Sequence, residues 1–319
     1  MRTFTRIFLA ILLLLAAGLA FLLLYRPGLP EEQSLRYTRK PDGSPQLVAA
    51  WYGTTGVLLS DGETHLFIDP FLSRPGGWGK LLLDQRIAPD ENLIGRWLLQ
   101  AGVRRLDAVL VSHSHFDHAM DAGVMARMTG AVLLGSASTM NIGRGAGLPA
   151  AQLDEVESGA ALPFGKFRVR FIASKHAGAT GGAPTGDITA PLAPPARYSD
   201  YRQGGTYSIL VEHPLGNVLF HGSAGFVPHA LDGLHADVVF LGIAIRGDLS
   251  EYLKNVVDAV GAKRVIPTHW DDFTRPLDQP LLPMPAGVNL AGFFRDLRAL
   301  RPDLTVQTLA PAEPVALLP

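Results

Sequence analysis

Four potential metal ligands fall within six residues at His113-Ser114-His115-Phe116-Asp117-His118. Neutral imidazoles and a carboxylate cannot all be turned into an apolar core, because each needs a polar partner there. A tight turn between a strand and a helix can instead direct His113 and His115 at one point and Asp117 and His118 at another. Imidazole is a good ligand for zinc, iron and other first-row metals. The competing reading, unrelated surface histidines, fits the strand-turn-helix setting poorly. The chain has no cysteine, which excludes disulfides, thiolate metal sites and cysteine nucleophiles. Any metal must therefore be held by nitrogen and oxygen.

The elements around this cluster follow from periodicity. Residues 107–111 read as a short buried strand ending at Ser112, and residues 120–128 as the helix beyond the cluster. Upstream, strands are expected at 47–52, 57–60 and 64–69, the last two joined by the turn signal Asp61-Gly62, with a helix over 90–101. The second half repeats the texture. Strands are expected at 166–173, 205–212, 217–221, 237–241 and 264–267, with a helix over 251–260 for which Asp248 and Glu251 form a capping box. Strands first, helices interleaved later, and the pattern occurring twice indicate an α/β domain of two packed sheets with helices outside. Residues 178–204, rich in Gly, Ala and Pro, show no period and read as a lid or a mobile insertion. Arg197, Tyr198, Tyr201 and Arg202 are its candidates for touching a substrate.

Of 319 residues, 47% are hydrophobic and 18% charged, with a net charge of -1. That balance fits a packed globular protein, excludes disorder and gives no electrostatic reason to expect nucleic acid as a partner. Residues 7–24 run without a charge, close to the length of about 20 residues needed to cross a bilayer, with Arg2 and Arg6 before them and Arg26 after. We expect a membrane anchor over 1–25, a Pro-rich linker over 26–45 and a catalytic domain over 46–319. A cleaved signal peptide is the rival reading of the same segment. The basic head places the N-terminus inside and the domain in the periplasm or another extracytoplasmic space.

The HxHxDH pattern after a buried strand resembles the signature of the metallo-β-lactamase superfamily. The resemblance runs from about Leu47 to Phe273. It implies a four-layer αββα sandwich, with one ion of Zn²⁺ on His113, His115 and His176 and another on Asp117, His118 and His269. Asp69, in Ile68-Asp69-Pro70, matches an acidic residue often found behind the ligands. Many members place a metal-bridging aspartate where this chain has Ser223, in His221-Gly222-Ser223. The resemblance therefore implies a second metal bound more weakly than the first. His221 borders that position and is a candidate for the second shell or for substrate contact. Asp271 and Asp272 are read as an exposed acidic pair, with the option of supplying the missing carboxylate. His65, His213, His229 and His235 are read as surface or locally bonded.

By this resemblance the chain is a hydrolase in which a zinc-bound hydroxide attacks an ester, lactone or phosphodiester, with Asp117 holding metal or orienting the nucleophile. The substrate is a small molecule, or lipid-derived given the membrane helix. Asp69-Pro70 and Pro267-Thr268-His269-Trp270 look more like the lactonase and phosphodiesterase branches, including N-acylphosphatidylethanolamine phospholipase D. One subclass of true metallo-β-lactamases has the same ligand set with serine at the bridging position, so β-lactam hydrolysis is an alternative. A non-catalytic metal-binding module is another. Ser223 as a nucleophile is disfavoured, since a nucleophile elbow needs glycine where His221 stands. A flavodiiron-type redox site is disfavoured because His115 stands where those proteins carry glutamate.

Overall fold

The structure, a computed structural model, describes residues 2–24, 35–178, 183–285 and 288–318. Residues 26–34 of the expected linker and 179–182 of the aperiodic segment lie outside the described residues. In chain order the strands of the first half are β1 (Leu47–Trp51), β2 (Val57–Ser60), β3 (His65–Ile68), β4 (Arg86–Ile87), β5 (Ala108–Leu110), β6 (Val132–Gly135), β7 (Leu153–Glu155) and β8 (Ala161–Phe164). Those of the second are β9 (Phe167–Ala173), β10 (Ala196–Arg197), β11 (Tyr207–Glu212), β12 (Val218–His221), β13 (Val238–Gly242), β14 (Arg264–Thr268), β15 (Thr305–Val306) and β16 (Val315–Leu318). The helices are α1 (Arg2–Leu24), α2 (Trp78–Leu82), α3 (Glu91–Gln100), α4 (Phe116–Ala119), α5 (Ala122–Thr129), α6 (Ala137–Gly145), α7 (Leu249–Leu253) and α8 (Leu290–Leu300).

Two seven-stranded sheets result, ordered β16-β1-β2-β3-β5-β6-β7 and β15-β14-β13-β12-β11-β9-β8, beside a small β10-β4 ribbon. Each sheet has an antiparallel part joined to a parallel part. In the first, β1, β2 and β3 pair antiparallel, while β3, β5 and β6 run parallel. In the second, β9, β11 and β12 alternate, while β12, β13 and β14 run parallel. Parallel neighbours cannot be joined by a hairpin, so helices make the crossovers: α3 between β3 and β5, α5 between β5 and β6, α7 between β13 and β14. The apolar faces of both sheets share one continuous core. Central strands such as β2, β5, β12 and β13 are buried along their whole length, which is why they read as apolar runs, broken only at the last residue of β2 and β12 by Ser60 and His221.

The helix expected over 120–128 is two helices, and the first starts earlier. α4 begins at Phe116, so Asp117 and His118 sit on a helical turn rather than in a loop. Asp121, between the two helices, makes no cap for α5; its carboxylate accepts Leu72 N and Ser73 N at 2.6 and 2.7 Å. Downstream, Asp248 caps α7 through Glu251 N at 2.9 Å, and the helix continues as one wide π turn over Lys254–Asp258. Asp271 and Asp272, expected on the surface, are buried. Arg74 reaches Asp271 at 2.7 Å, and Thr274 donates to Asp272 at 2.7 Å, which supplies the partners that make their burial tolerable. The 178–204 segment is packed where described: Ile188, Ala196 and Tyr201 are buried, so Tyr201 is not available to a substrate. α1 contains one stretch, Phe4–Phe21, long and apolar enough to cross a membrane.

Candidate metal centre

Parallel sheets place loops at the carboxyl ends of their strands, and there the chemistry collects. Asp69 follows β3, His113 follows β5 by way of Ser112, His176 follows β9, Ser223 follows β12 and His269 follows β14. Asp69 and His269 adopt left-handed backbone, at φ 45° and 56°, a conformation costly for residues with a side chain. Both belong to the cluster.

Two groups of donor atoms form. His113, His115 and His176 bring one ligand atom each within 4.8 Å of one another, and Asp117, His118 and His269 do the same. The groups adjoin, with the His113 and His118 rings 3.9 Å apart. His269 Nε2 lies 3.2 Å from Asp117 Oδ2 and 3.3 Å from His118 Nε2. The residues at 176 and 269, more than 50 and 150 positions from the motif, thus meet it in space.

For His113, His115, His118 and His176, hydrogen bonds from behind decide which ring nitrogen is presented, whereas His269 Nδ1 is buried without a partner among the described residues. His115 Nε2 donates to Pro184 O at 2.9 Å, leaving Nδ1 for a metal. His176 Nδ1 donates to Ala177 O at 2.9 Å, and His118 Nδ1 to Asp69 Oδ2 at 2.9 Å, so each keeps Nε2. Ser112 Oγ donates to Asp69 Oδ2 at 2.6 Å and is left to accept from His113 Nδ1 at 3.3 Å. That leaves His113 Nε2 buried with no partner. A buried lone pair without a donor is costly in a protein interior, and a cation is the partner that this donor set fits.

Charge follows the same logic. Burial, reinforced by the neighbouring imidazoles, pushes His113 well below the ordinary histidine range and His176 down to about 4. Burial lowers His115 as well. His118 moves up: burial opposes its cationic form, but the Asp117 and Asp69 carboxylates outweigh it. Burial also opposes ionisation of Asp117, yet His118, His269 and His115 prevail and hold its carboxyl far below the usual range. Asp117 is an anion at any pH where the protein works.

Asp69 is the hub behind the cluster. Besides His118 and Ser112 Oγ, it accepts Thr55 Oγ1 at 3.0 Å and Ser112 N at 2.6 Å. Gly222 leaves room for this network, since a Cβ there would stand 2.8 Å from Ser112 Oγ and 3.0 Å from Asp69 Oδ2. Ser223 Oγ accepts from Ala177 N at 2.8 Å and fixes the turn that carries His176. His221 is buried and uses both ring nitrogens, on Ser208 Oγ at 2.7 Å and Gly225 O at 2.8 Å; it supports the turn from behind. Burial holds it neutral, with a pKa of about 4. Of the remaining histidines, His213 is buried against Asp61, while His229 and His235 pair with Asp232 and Asp237 at the surface.

The cluster opens into a cavity of about 430 Å³. Asp117, His115, His176, His269 and Ser223 line its floor, and Trp78, Phe116, Tyr198, Ile245, Phe273 and Met284 line its walls. Of the four candidates in the aperiodic segment Tyr198 reaches the cavity, and Ala183 and Pro184 of the same segment line it too. Arg197 pairs instead with Asp84 at the surface. Trp78, Phe273, Met284, Thr55 and the Pro184 carbonyl carried no sequence signal, because nothing local marks a wall or a backbone acceptor. Ser112 was within reach, being the residue at the strand end next to His113.

Residues 64–270 match the family described as the Beta-lactamase superfamily domain. A UPF0173 metal-dependent hydrolase from Anaeromyxobacter sp. (strain K) is 28% identical over 279 residues, covering 83% of this chain and 85% of that protein. Another, from Anaeromyxobacter dehalogenans (strain 2CP-1 / ATCC BAA-258), is 39% identical over 85 residues; there the chain spans 25% of its relative's length and the match takes in 26% of this chain. In backbone, the chain is similar to Igni18, a metallo hydrolase from the hyperthermophilic archaeon Ignicoccus hospitalis KIN4/I. The TM-score is 0.54 at 16% identity, covering 85% of this chain and 97% of that one.

Proposed function

The chain belongs to the metallo-β-lactamase superfamily, and we propose that it is a zinc-dependent hydrolase acting on an uncharged ester or lactone with an apolar body. The observation that carries this reading is that His115, His118 and His176 each commit one ring nitrogen to the protein while offering the other to one of two adjoining donor groups. When bound, such an ion polarises the scissile carbonyl oxygen and makes water a nucleophile at neutral pH. His113, His115 and His176 hold the first ion; Asp117, His118 and His269 hold the second. Asp117, ionised and on the cavity floor, completes that second group or orients the attacking water. Ser223 contributes a hydroxyl where a bridging carboxylate would add charge, so the second ion is held less tightly.

The cavity walls select the substrate. Trp78, Phe116, Phe273 and Met284 offer apolar surface, and the described lining has no Lys or Arg to balance a phosphate or the carboxylate of a β-lactam. That favours a neutral acyl compound over a phosphodiester or an antibiotic. α1 supports a membrane-anchored protein and a lipid-derived substrate, and the basic Arg2 and Arg6 at its head support a domain on the extracytoplasmic side. His115→Ala is expected to remove metal and turnover together; a variant that keeps both would overturn the assignment. Wild-type protein that binds metal but turns over no ester, lactone, phosphodiester or β-lactam would leave a metal-binding scaffold in its place.

A further inference from the structure

The outer lip of the cavity has a surface that catalysis does not use. α2 begins with Trp78, which lines the cavity against Phe273 at 5.5 Å between ring centroids. The same short element ends at Leu82 and is capped by Leu83, residues that are 76% and 71% exposed. Among the described residues after α1, they are the adjacent pair of large apolar side chains left in solvent. Ile245, on the opposite wall, is a further 41% exposed. Lys80 and Arg86 flank the leucines and are exposed as well, and the one anion between them, Asp84, is balanced by Arg197 at 3.5 Å. Exposed leucines bordered by cations suit a bilayer interface, where apolar side chains insert and cations meet anionic headgroups.

The path of the chain brings this lip to a membrane. β15 runs parallel to β14 with Val306 opposite Val265. Thr308, two residues on, therefore stands level with the end of β14 from which His269 extends. Thr308 N donates to Leu35 O at 3.0 Å, and Tyr37 N donates to Thr308 O at 2.9 Å. The chain coming from α1 thus joins the domain at the end that carries the metal ligands. Ten residues separate Leu24 from Leu35. Even fully extended they reach no more than about 40 Å.

We propose that Leu82 and Leu83, with Ile245 across the cavity mouth, dock into the bilayer that holds α1, so that the cavity opens onto the membrane surface and takes its apolar substrate from there. The substrate clause rests on the hydrolase reading, and the tether on α1 as an anchor; the docking itself is read without turnover. The chain has no cysteine, so Leu82→Cys gives a single labelling position on an exposed side chain. Leu300→Cys, 46% exposed at the end of α8 and near the start of β15, labels the opposite end of the domain. Each full-length variant, carrying an environment-sensitive fluorophore, is reconstituted into phosphatidylethanolamine–phosphatidylglycerol vesicles with and without spin-labelled lipid. The label at 82 is expected to emit to the blue and to be quenched about twofold or more by the spin-labelled lipid, and the label at 300 to do neither. A label at 82 that behaves like the one at 300 overturns the proposal. So does a blue-shifted label that spin-labelled lipid cannot quench, which means a second copy covers the lip. Carbonate extraction reads the anchor separately: protein released by carbonate, yet still quenched at 82 on fresh vesicles, sustains docking and removes the anchor.

Discussion

Replacing Asp69 by Asn would ask how far the second triad depends on what stands behind it. Asp69 accepts Ser112 N on Oδ1, and Ser112 Oγ, Thr55 Oγ1 and His118 Nδ1 on Oδ2. Asparagine keeps the shape but carries donors on one side. If its NH₂ takes the Oδ2 place, it faces His118 Nδ1, and the imidazole must move its proton to Nε2. Nε2 is the atom turned toward Asp117 and His269. If the amide is reversed, its NH₂ opposes Ser112 N, donor against donor in a buried space. Either way one hydrogen bond to a charged group is lost, about 1.5–3 kcal/mol. Loss of an outer-shell partner weakens metal binding about 10–100-fold. The first triad touches Asp69 only through Ser112 Oγ and His113, so it is affected less. In chelator competition with metal analysis, Asp69→Asn should keep one ion near wild-type affinity and hold the second 10–100-fold more weakly, with a lower urea midpoint. A folded variant with unchanged affinity for the second ion would refute the tautomer argument.

Three further outcomes follow from the same packing. Arg74→Met leaves Asp271 buried without its cation and should cost about 3–5 kcal/mol in urea unfolding, of which Asp271→Asn in the same chain restores part; an unaffected single variant would contradict the burial of the pair. Gly222→Ala pushes a methyl against Ser112 Oγ and Asp69 Oδ2, with an expected loss of about 1–3 kcal/mol and a lower melting temperature. Asp121 is pushed up to about 6 by burial, against the Ser73 and Leu72 amides, and its Oδ1 lacks a partner. Its folded pKa lies above the unfolded value, so its stabilising share is full below about pH 4 and is lost as pH rises through about 6, at most about 3 kcal/mol. Asp121→Asn should flatten that slope in unfolding titrations, and a slope equal to the wild type would assign it to another group.

The sequence by itself determined the motif, most strands and the two-sheet texture, because these are local. His113 to His118 follow one buried strand, and alternation or unbroken apolar runs mark strands such as β9 and β13 wherever they end up. His176 and His269 were reachable only through family resemblance, since no spacing rule joins ligands so far apart. Tertiary structure decided the rest. It chose the ring nitrogen each imidazole presents, through carbonyls such as Pro184 O and the carboxylate of Asp69. Likewise it buried Asp271 and Asp272, which read as surface residues: Asp271 gains its partner Arg74 only when the loops after β3 and β14 close on each other, and the local turn that pairs Thr274 with Asp272 is buried with it. The cavity walls come from α2, α4, the aperiodic segment, the loop after β13 and the stretch after His269, five pieces that share no pattern along the chain. Backbone periodicity records which face of an element is buried, whereas a site depends on distances between elements, and those exist only once the chain has folded.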